Sequence, residues 1–448
     1  MFKGQVIDPE DPEYNKARVV FAGGFDKKPA VIIKAANIKD VQNVIRLARE
    51  TGMELAIRSG GHSSAGHSVS EGGIVLDLSQ MKDIDIDLST HSVWAETGLT
   101  AGEYTNAAAA HKLATGFGDT GSVGIGGITT GGGIGYLTRK YGMTIDNIVA
   151  CEIVTADGAF HTVDEKNEPD LFWAIRGGGG NFGVVTRFRY LAHDVETVTG
   201  GMLILPASAK NIAAFIREAE HAPNELSTIA NVMTAPPMPF LPKETTGKLI
   251  IMALMCYAGD ATSGASVMAK FRSIDAPLAD MVKIIPYPQM YPPDQDNYHP
   301  IAAARTMFIE RVDERVAEDI LIKLRASKGT MAVAQLRVLG GAMSKVPPDA
   351  TAFFHRKSAI MVNLATLYRN LEEKTQHEQW VTDFQKTLQQ GDFGAYVNFL
   401  GNEPEARIHS AYPDATWERL QKVKTKYDPA NIFRLNQNIP PAPSETST

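Results

Sequence analysis

Apolar positions in the first 195 residues alternate between helical and strand spacing. After Asn37, Val41, Val44, Ile45, Leu47 and Ala48 recur at helical intervals until Gly52, which predicts a helix capped by Asn37. Residues 53–58 (MELAIR), 74–78 (IVLDL) and 92–97 (SVWAET) read as strands. The last of these leads into an alanine-rich helix over about 101–113. The run IVACEIVTADGAFHTV predicts a hairpin with Asp157-Gly158 at its turn. A short helix starting at Pro169 precedes the strand GVVTRFRYL.

From about residue 200 to 400 the strands and helices lengthen. KLIIMALMCY, AVAQLRVLG and IMVNLATLY read as strands, and 313–326 and 373–389 as helices. Proline-rich loops at 236–242 and 286–293 separate them. This predicts an α+β fold of two domains, the second an antiparallel sheet covered by helices. The end of the chain reads as a charged helix stopped before Pro429, an extended segment, and a frayed tail at 441–448.

Composition narrows the function classes. Forty-four basic against 51 acidic residues give a net charge of −7, and no basic run appears, so nucleic acid is not an expected partner. The longest strongly apolar stretch, Leu249 to Ala258, is too short to span a bilayer, so no membrane is expected either. The N-terminal MFKGQVIDPEDPEY lacks the pattern of a signal peptide, and Cys151 and Cys256 sit in apolar runs as two buried thiols. Together these predict a cytoplasmic protein; monomer and homodimer both stay open.

Glycine is where the chemistry shows. Of 39 glycines, 20 fall in the windows 58–73, 116–135 and 177–183. Such clusters cost backbone entropy, so they mark backbone brought close to something. The pattern G-x-G-x-x-G occurs at Gly116, Gly118, Gly121 and again at Gly178, Gly180, Gly183. A Rossmann fingerprint follows a strand and opens a helix; neither match does. No Walker A, G-x-S-x-G or HExxH motif is present. His62 and His67 have no nearby carboxylate or thiolate to complete a metal shell, so no metal is expected. What remains is a set of glycine loops whose clustered N–H groups suit an anion such as a pyrophosphate, and together an elongated dinucleotide.

Four ordered motifs carry a resemblance: Arg58-Ser59-Gly60-Gly61-His62, then SVGIGGITTGGGIGYLTRKYGMTIDNI, DLFWAIRGGGGNFGVVTRF and KYDPANIFRLNQNI. The chain resembles flavoproteins of the vanillyl-alcohol oxidase type, and most closely their berberine-bridge-enzyme-like branch. The resemblance implies a split PCMH-type FAD-binding fold, with residues 1–198 binding FAD, 199–405 forming the substrate domain and 406–440 returning to the cofactor. It also implies an oxidase that passes hydride from a small-molecule C–N or C–O substrate to flavin N5 and then to O2. A flavin dehydrogenase with another acceptor is the alternative, and a non-catalytic flavin-binding protein a third.

The implied cofactor contacts begin with Arg58, Ser59, Gly60, Gly61, His62 and Ser63, then His67 and Ser68. They continue through Thr120, Gly121, Val123, Gly124, Gly126 and Gly127, then Gly132, Gly135, Tyr136 and Gly142. Ile153 on the hairpin and Asn436 and Asn438 near the end complete the set. His62 is implied as the single covalent link to the flavin 8α-methyl carbon, since Thr120 stands where many relatives place a second, cysteine link. Val123 matches a valine that leaves oxygen a path, whereas Ile128 replaces an oxygen-activating histidine. Phe399 replaces a tyrosine base in the Tyr396-Val397-Asn398-Phe399 run, which leaves Tyr396 and Asn398, on one face of an expected strand, as the catalytic candidates. Losing that base favours an amine or activated alcohol. His355 and Tyr368 are further acid/base candidates, each more readily explained by structure.

Overall fold

The computed structural model describes residues 2–291 and 297–443; the expected tail lies outside the described residues from 444 onward. The Asn37 helix forms as Ile38–Thr51, with the Asn37 side chain accepting from Asp40 N at 3.1 Å and Gly52 ending it at φ 67°. Its Val41, Val44, Ile45 and Ala48 pack on Leu55, Ile74 and Leu76 of a small mixed sheet. In that sheet Ile74–Asp77 lies between Val31–Lys34 and Leu55–Arg58, parallel to both. The alanine-rich helix covers only Ala101–Ala109, and Lys112 at φ 61° turns the chain into the short strand Leu113–Ala114.

A second, antiparallel sheet holds Val184–Leu191 at its centre, between Ser92–Glu96 and Ile148–Val154. The expected hairpin is there, Ile148–Val154 against Phe160–Val163, with Gly158 at φ 85°. Within the second glycine window the chain is helical over Ile125–Gly131, where the sequence suggested only loops.

The large sheet is antiparallel throughout. Its main path runs Ala279–Asp280, Thr197–Pro206, Leu249–Tyr257, Leu226–Thr234, Met331–Val338, Ile360–Tyr368 and Ile301–Ile309. Helices Ala209–His221, Ala261–Arg272, Glu314–Arg325 and Lys374–Leu388 cover one face, through side chains such as Phe215, Phe271, Leu321 and Phe384. Strand alternation sends the intervening side chains to the other face, toward the glycine loops. Ala395, Tyr396, Val397 and Leu400 pack in the core of the glycine-rich half, together with Trp417 and Leu420 of the C-terminal helix Asp414–Tyr427. Among the described residues, no helix is long and apolar enough to cross a membrane.

Candidate active site

A cavity of about 440 Å³ lies where the three glycine windows, the open face of the large sheet and the C-terminal segment meet. Ser59, Gly60, Gly61, His62 and Ser63 form one wall, with His67 and Ser68 behind. Thr120, Val123, Gly124, Gly126, Gly127 and Ile128 form the second. Gly179, Gly180 and Asn181 with Asn436 close one end, and Tyr396, Asn398, Phe399, Ala304 and Asn363 lie on the sheet side.

Several expected contacts act from behind this wall instead. Arg58 does not line the cavity: its Nε donates to Ser68 O at 3.0 Å, a second nitrogen to Ala17 O, and Asp77 lies 3.8 Å away. It braces the loop that carries His62. Ile153 is buried one layer back, where a Cβ on Gly183 would meet its side chain at 2.8 Å. Gly121, Gly132, Gly135, Tyr136, Gly142 and Asn438 also lie off the cavity. A Cβ on Gly132 would meet Met143 Cε at 2.7 Å, and one on Gly142 would meet Asp146 Oδ2 at 2.8 Å. Gly135 abuts Phe117 O, Gly121 packs on Tyr291 and Gly102, and Tyr136 sits edge-on to Tyr291. Asn438 is held beside Ile439, whose N–H donates to Asn181 Oδ1 at 2.9 Å.

Most clustered glycines therefore let loop pack on loop. Gly60 and Gly124 are the reciprocal case, since a Cβ on either would overlap the other's backbone nitrogen. Gly124→Ala is expected to cost about 1–3 kcal/mol through overpacking and to lower flavin content, read by denaturant unfolding and visible absorbance. Gly127 and Gly180 differ, because a Cβ there would meet nothing within 4 Å. With Gly61 and Gly179, also loosely surrounded, they present bare backbone to the cavity.

These features fit an FAD. Glycine backbone faces an elongated space, and Asn436 brings a buried Oδ1 with no hydrogen-bond partner among the described residues, while its Nδ2 donates to Gly180 O at 3.2 Å and Phe433 O at 3.0 Å. His62 sits on the cavity wall with its ring stacked on Phe21, centroids 4.2 Å apart and planes 16° apart. His67 also faces the cavity, and burial, aided by Lys27, pulls its pKa down to about 4. The unfolded chain then binds the extra proton below pH about 6.5, so stability should be full above that pH and fall toward pH 4, by up to about 3 kcal/mol. His67→Gln should flatten this slope in unfolding curves taken across that range.

Tyr396 and Asn398 do come together, but on a 3-10 turn over Val397–Phe399 rather than a strand. The Tyr396 hydroxyl accepts from Gly133 N at 2.8 Å and from Asn398 Nδ2 at 3.0 Å, and Asn398 also donates to Ile128 O at 3.0 Å. Burial pushes the Tyr396 phenol up, and its hydroxyl ties Gly133, just past the helix Ile125–Gly131, to Asn398. His355 and Tyr368 do not line the cavity; they stack on Phe308 and His377 respectively. Cys151 and Cys256 are buried free thiols away from it.

Sequence reasoning missed the sheet side. Arg337, 3% exposed, donates to Asp119 Oδ2 at 2.7 Å, to Gln335 Oε1 at 2.7 and 3.0 Å and to Ile134 O at 3.2 Å. Its guanidinium lies 5.3 Å from the Phe399 ring centroid. The polar Gln335 and Arg337, two apart in an otherwise apolar strand, were the available signal.

Comparison with known proteins shows the family. A family model for an FAD binding domain matches residues 29–164, and one for berberine and berberine-like proteins matches residues 395–440. The chain is 32% identical to an uncharacterized FAD-linked oxidoreductase of Bacillus subtilis (strain 168), YgaK, over 98% of this chain and 97% of that protein. It is 27% identical to (R)-6-hydroxynicotine oxidase of Paenarthrobacter nicotinovorans, over 98% and 97%. Its fold matches that of 6-hydroxy-D-nicotine oxidase from Arthrobacter nicotinovorans with a TM-score of 0.87 at 24% identity, covering 98% of both chains.

Proposed function

Because the chain belongs to the berberine-bridge-enzyme-like family of FAD-linked oxidoreductases, we propose that it is an oxidase of small molecules with its flavin attached through His62. The observation that carries this reading is that both family-matched segments border one cavity, His62 from the first and Tyr396 to Gln437 from the second. Bound there, FAD would supply a hydride acceptor at N5 and pass the electrons to O2, giving H2O2. The protein's part is to bind and orient. The glycine backbone at Gly61, Gly127, Gly179 and Gly180 takes the dinucleotide, Arg58 and Phe21 hold the His62 loop, and Asp119-Arg337 ties that half to the sheet. On this reading residues 1–198 and the returning C-terminal segment hold the cofactor, and the large sheet faces the substrate.

Phe399 lines the cavity without an ionisable group, so no proton is taken at that position. That supports oxidation at C–N or at an activated C–O, where the substrate's own lone pair assists hydride loss. Ile128, aliphatic and on the cavity wall, favours the second reading, a dehydrogenase with another acceptor. The experiment is anaerobic reduction with a panel of amines and alcohols, followed by mixing with air in a stopped-flow instrument. Reoxidation as fast as turnover, with peroxide released, supports the oxidase; reoxidation far below turnover selects the dehydrogenase. A flavin that no panel member reduces refutes both.

A further inference from the structure

Four strands of the large sheet place polar side chains in one row. Asn231 pairs with Gln335, Gln335 with Asn363, and Asn363 with Thr306, each directly across the ladder. Paired residues share a face, and neighbours such as Ala230, Leu336, Val362 and Met307 belong to the opposite, helix-covered face. The row therefore looks toward the glycine loops. Two of its members are committed. Gln335 Nε2 donates to Asn231 Oδ1 at 2.9 Å, Asn231 Nδ2 donates to Met252 O at 3.1 Å, and Gln335 Oε1 accepts from Arg337. Asn363 is not: its Oδ1 is buried, has no partner among the described residues, and belongs to a side chain that lines the cavity. Thr306 beside it also holds a buried, unpartnered hydroxyl. A buried amide left open in this way costs stability unless a ligand completes it.

The charges of the same cavity are equally one-sided. Among the described residues, Asp119 is the only Asp, Glu, Lys or Arg lining it, and its Oδ2 is taken by Arg337. Burial keeps His67 uncharged at neutral pH. Beside the flavin, an anionic substrate would meet no lysine or arginine among the described lining residues, and a cationic one would meet an Asp119 whose charge Arg337 already offsets.

We propose that Asn363 is a specificity-determining residue, and that the substrate is an uncharged molecule presenting a hydrogen-bond donor to its amide oxygen. This rests on the flavin oxidoreductase reading of the cavity, since it names what that site accepts beside the flavin. Phe399, packed on Arg337 next to Gln335, supplies the apolar wall on the same side.

Three nearly isosteric probes test it on the flavin-loaded protein: benzamide, benzoate and benzamidine. Binding is read by perturbation of the flavin absorbance and by thermal shift. Benzamide is expected to bind, with the anion and the cation each weaker by roughly tenfold or more. Asn363→Leu should weaken benzamide by roughly tenfold at unchanged flavin content, the size of one lost hydrogen bond in a buried site. Asn363→Asp, nearly the same shape, should shift preference to benzamidine. Benzoate or benzamidine binding as well as benzamide to the wild type overturns the proposal, as does unchanged benzamide affinity in Asn363→Leu. Protein that takes up no FAD would instead overturn the functional reading on which the proposal rests, so the two failures are distinct.

Discussion

Precipitated in acid and centrifuged, the protein is expected to carry its yellow colour into the pellet, whereas His62→Ala should leave all of it in the supernatant. The argument starts from the loop. Gly61, at φ 72°, turns the chain so that His62 follows on the cavity wall, and Arg58 fixes the loop from beneath. Stacking on Phe21 sets the plane of the imidazole before any cofactor bond forms. A held imidazole nitrogen is a competent nucleophile toward the flavin methyl carbon. No second anchor is expected. Thr120 reaches the cavity but has no thiol, and both thiols are fully buried, with burial pushing their pKa values up. The variant should still bind FAD, because the glycine backbone is intact, but substrate should reduce it more slowly as the electron-withdrawing link is lost. A fall of roughly tenfold corresponds to about 1.4 kcal/mol of barrier. Covalent flavin persisting in His62→Ala would mean that another residue makes the bond.

The His62 loop was legible in the sequence because its motif is local, and so were elements with local punctuation. Asn37 and Gly52 bracket a helix, Asp157-Gly158 makes a hairpin, and alternation in IMVNLATLY gives the strand Ile360–Tyr368. What depended on partners far along the chain was not legible. Ile125–Gly131 has three glycines in seven residues and little intrinsic reason to be helical. It is held by Ser59 Oγ, which accepts from Gly126 N at 3.2 Å, and by Asn398 under Gly131. Tyr396 and Asn398 met as their equal parity suggested, but on a turn that tertiary contacts impose. Arg337 and Asp119 are 218 residues apart, and only the sheet's register brings them together. Glycine clustering was read as backbone approaching a ligand. In the structure it is mainly loops approaching each other, and the third window supplies two of the barest positions, Gly179 and Gly180.

Those two positions depend on one buried lysine. Lys424→Met is expected to destabilise the protein by about 3–5 kcal/mol, the usual cost of stranding one partner of a buried ion pair. Lys424 and Asp428 are both fully buried, one helical turn apart and 2.7 Å from each other. The same ammonium donates to Asn181 O at 2.8 Å and Phe433 O at 2.9 Å, while Asp428 accepts from Ile432 N and Phe433 N at 2.8 and 2.9 Å. Asn181 in turn donates to Gly178 O and Gln437 O, at 2.9 and 3.1 Å. One side chain thus joins the last helix, the third glycine loop and the returning segment at the end of the flavin cavity. Removing it leaves a buried carboxylate without its counter-ion and Asn181 O without this donor, while Phe433 O keeps Asn436 Nδ2, so denaturant unfolding should show the loss directly. Because Gly179 and Gly180 sit on the released loop, FAD affinity should fall as well, read as flavin lost on dialysis of the His62→Ala background, where no covalent bond retains it. Lys424→Met with Asp428→Leu removes both charges but does not restore a donor to Asn181 O, and should recover only part of the stability. Full recovery would show that the charge pair alone, and not its grip on Asn181 and Phe433, carried the effect.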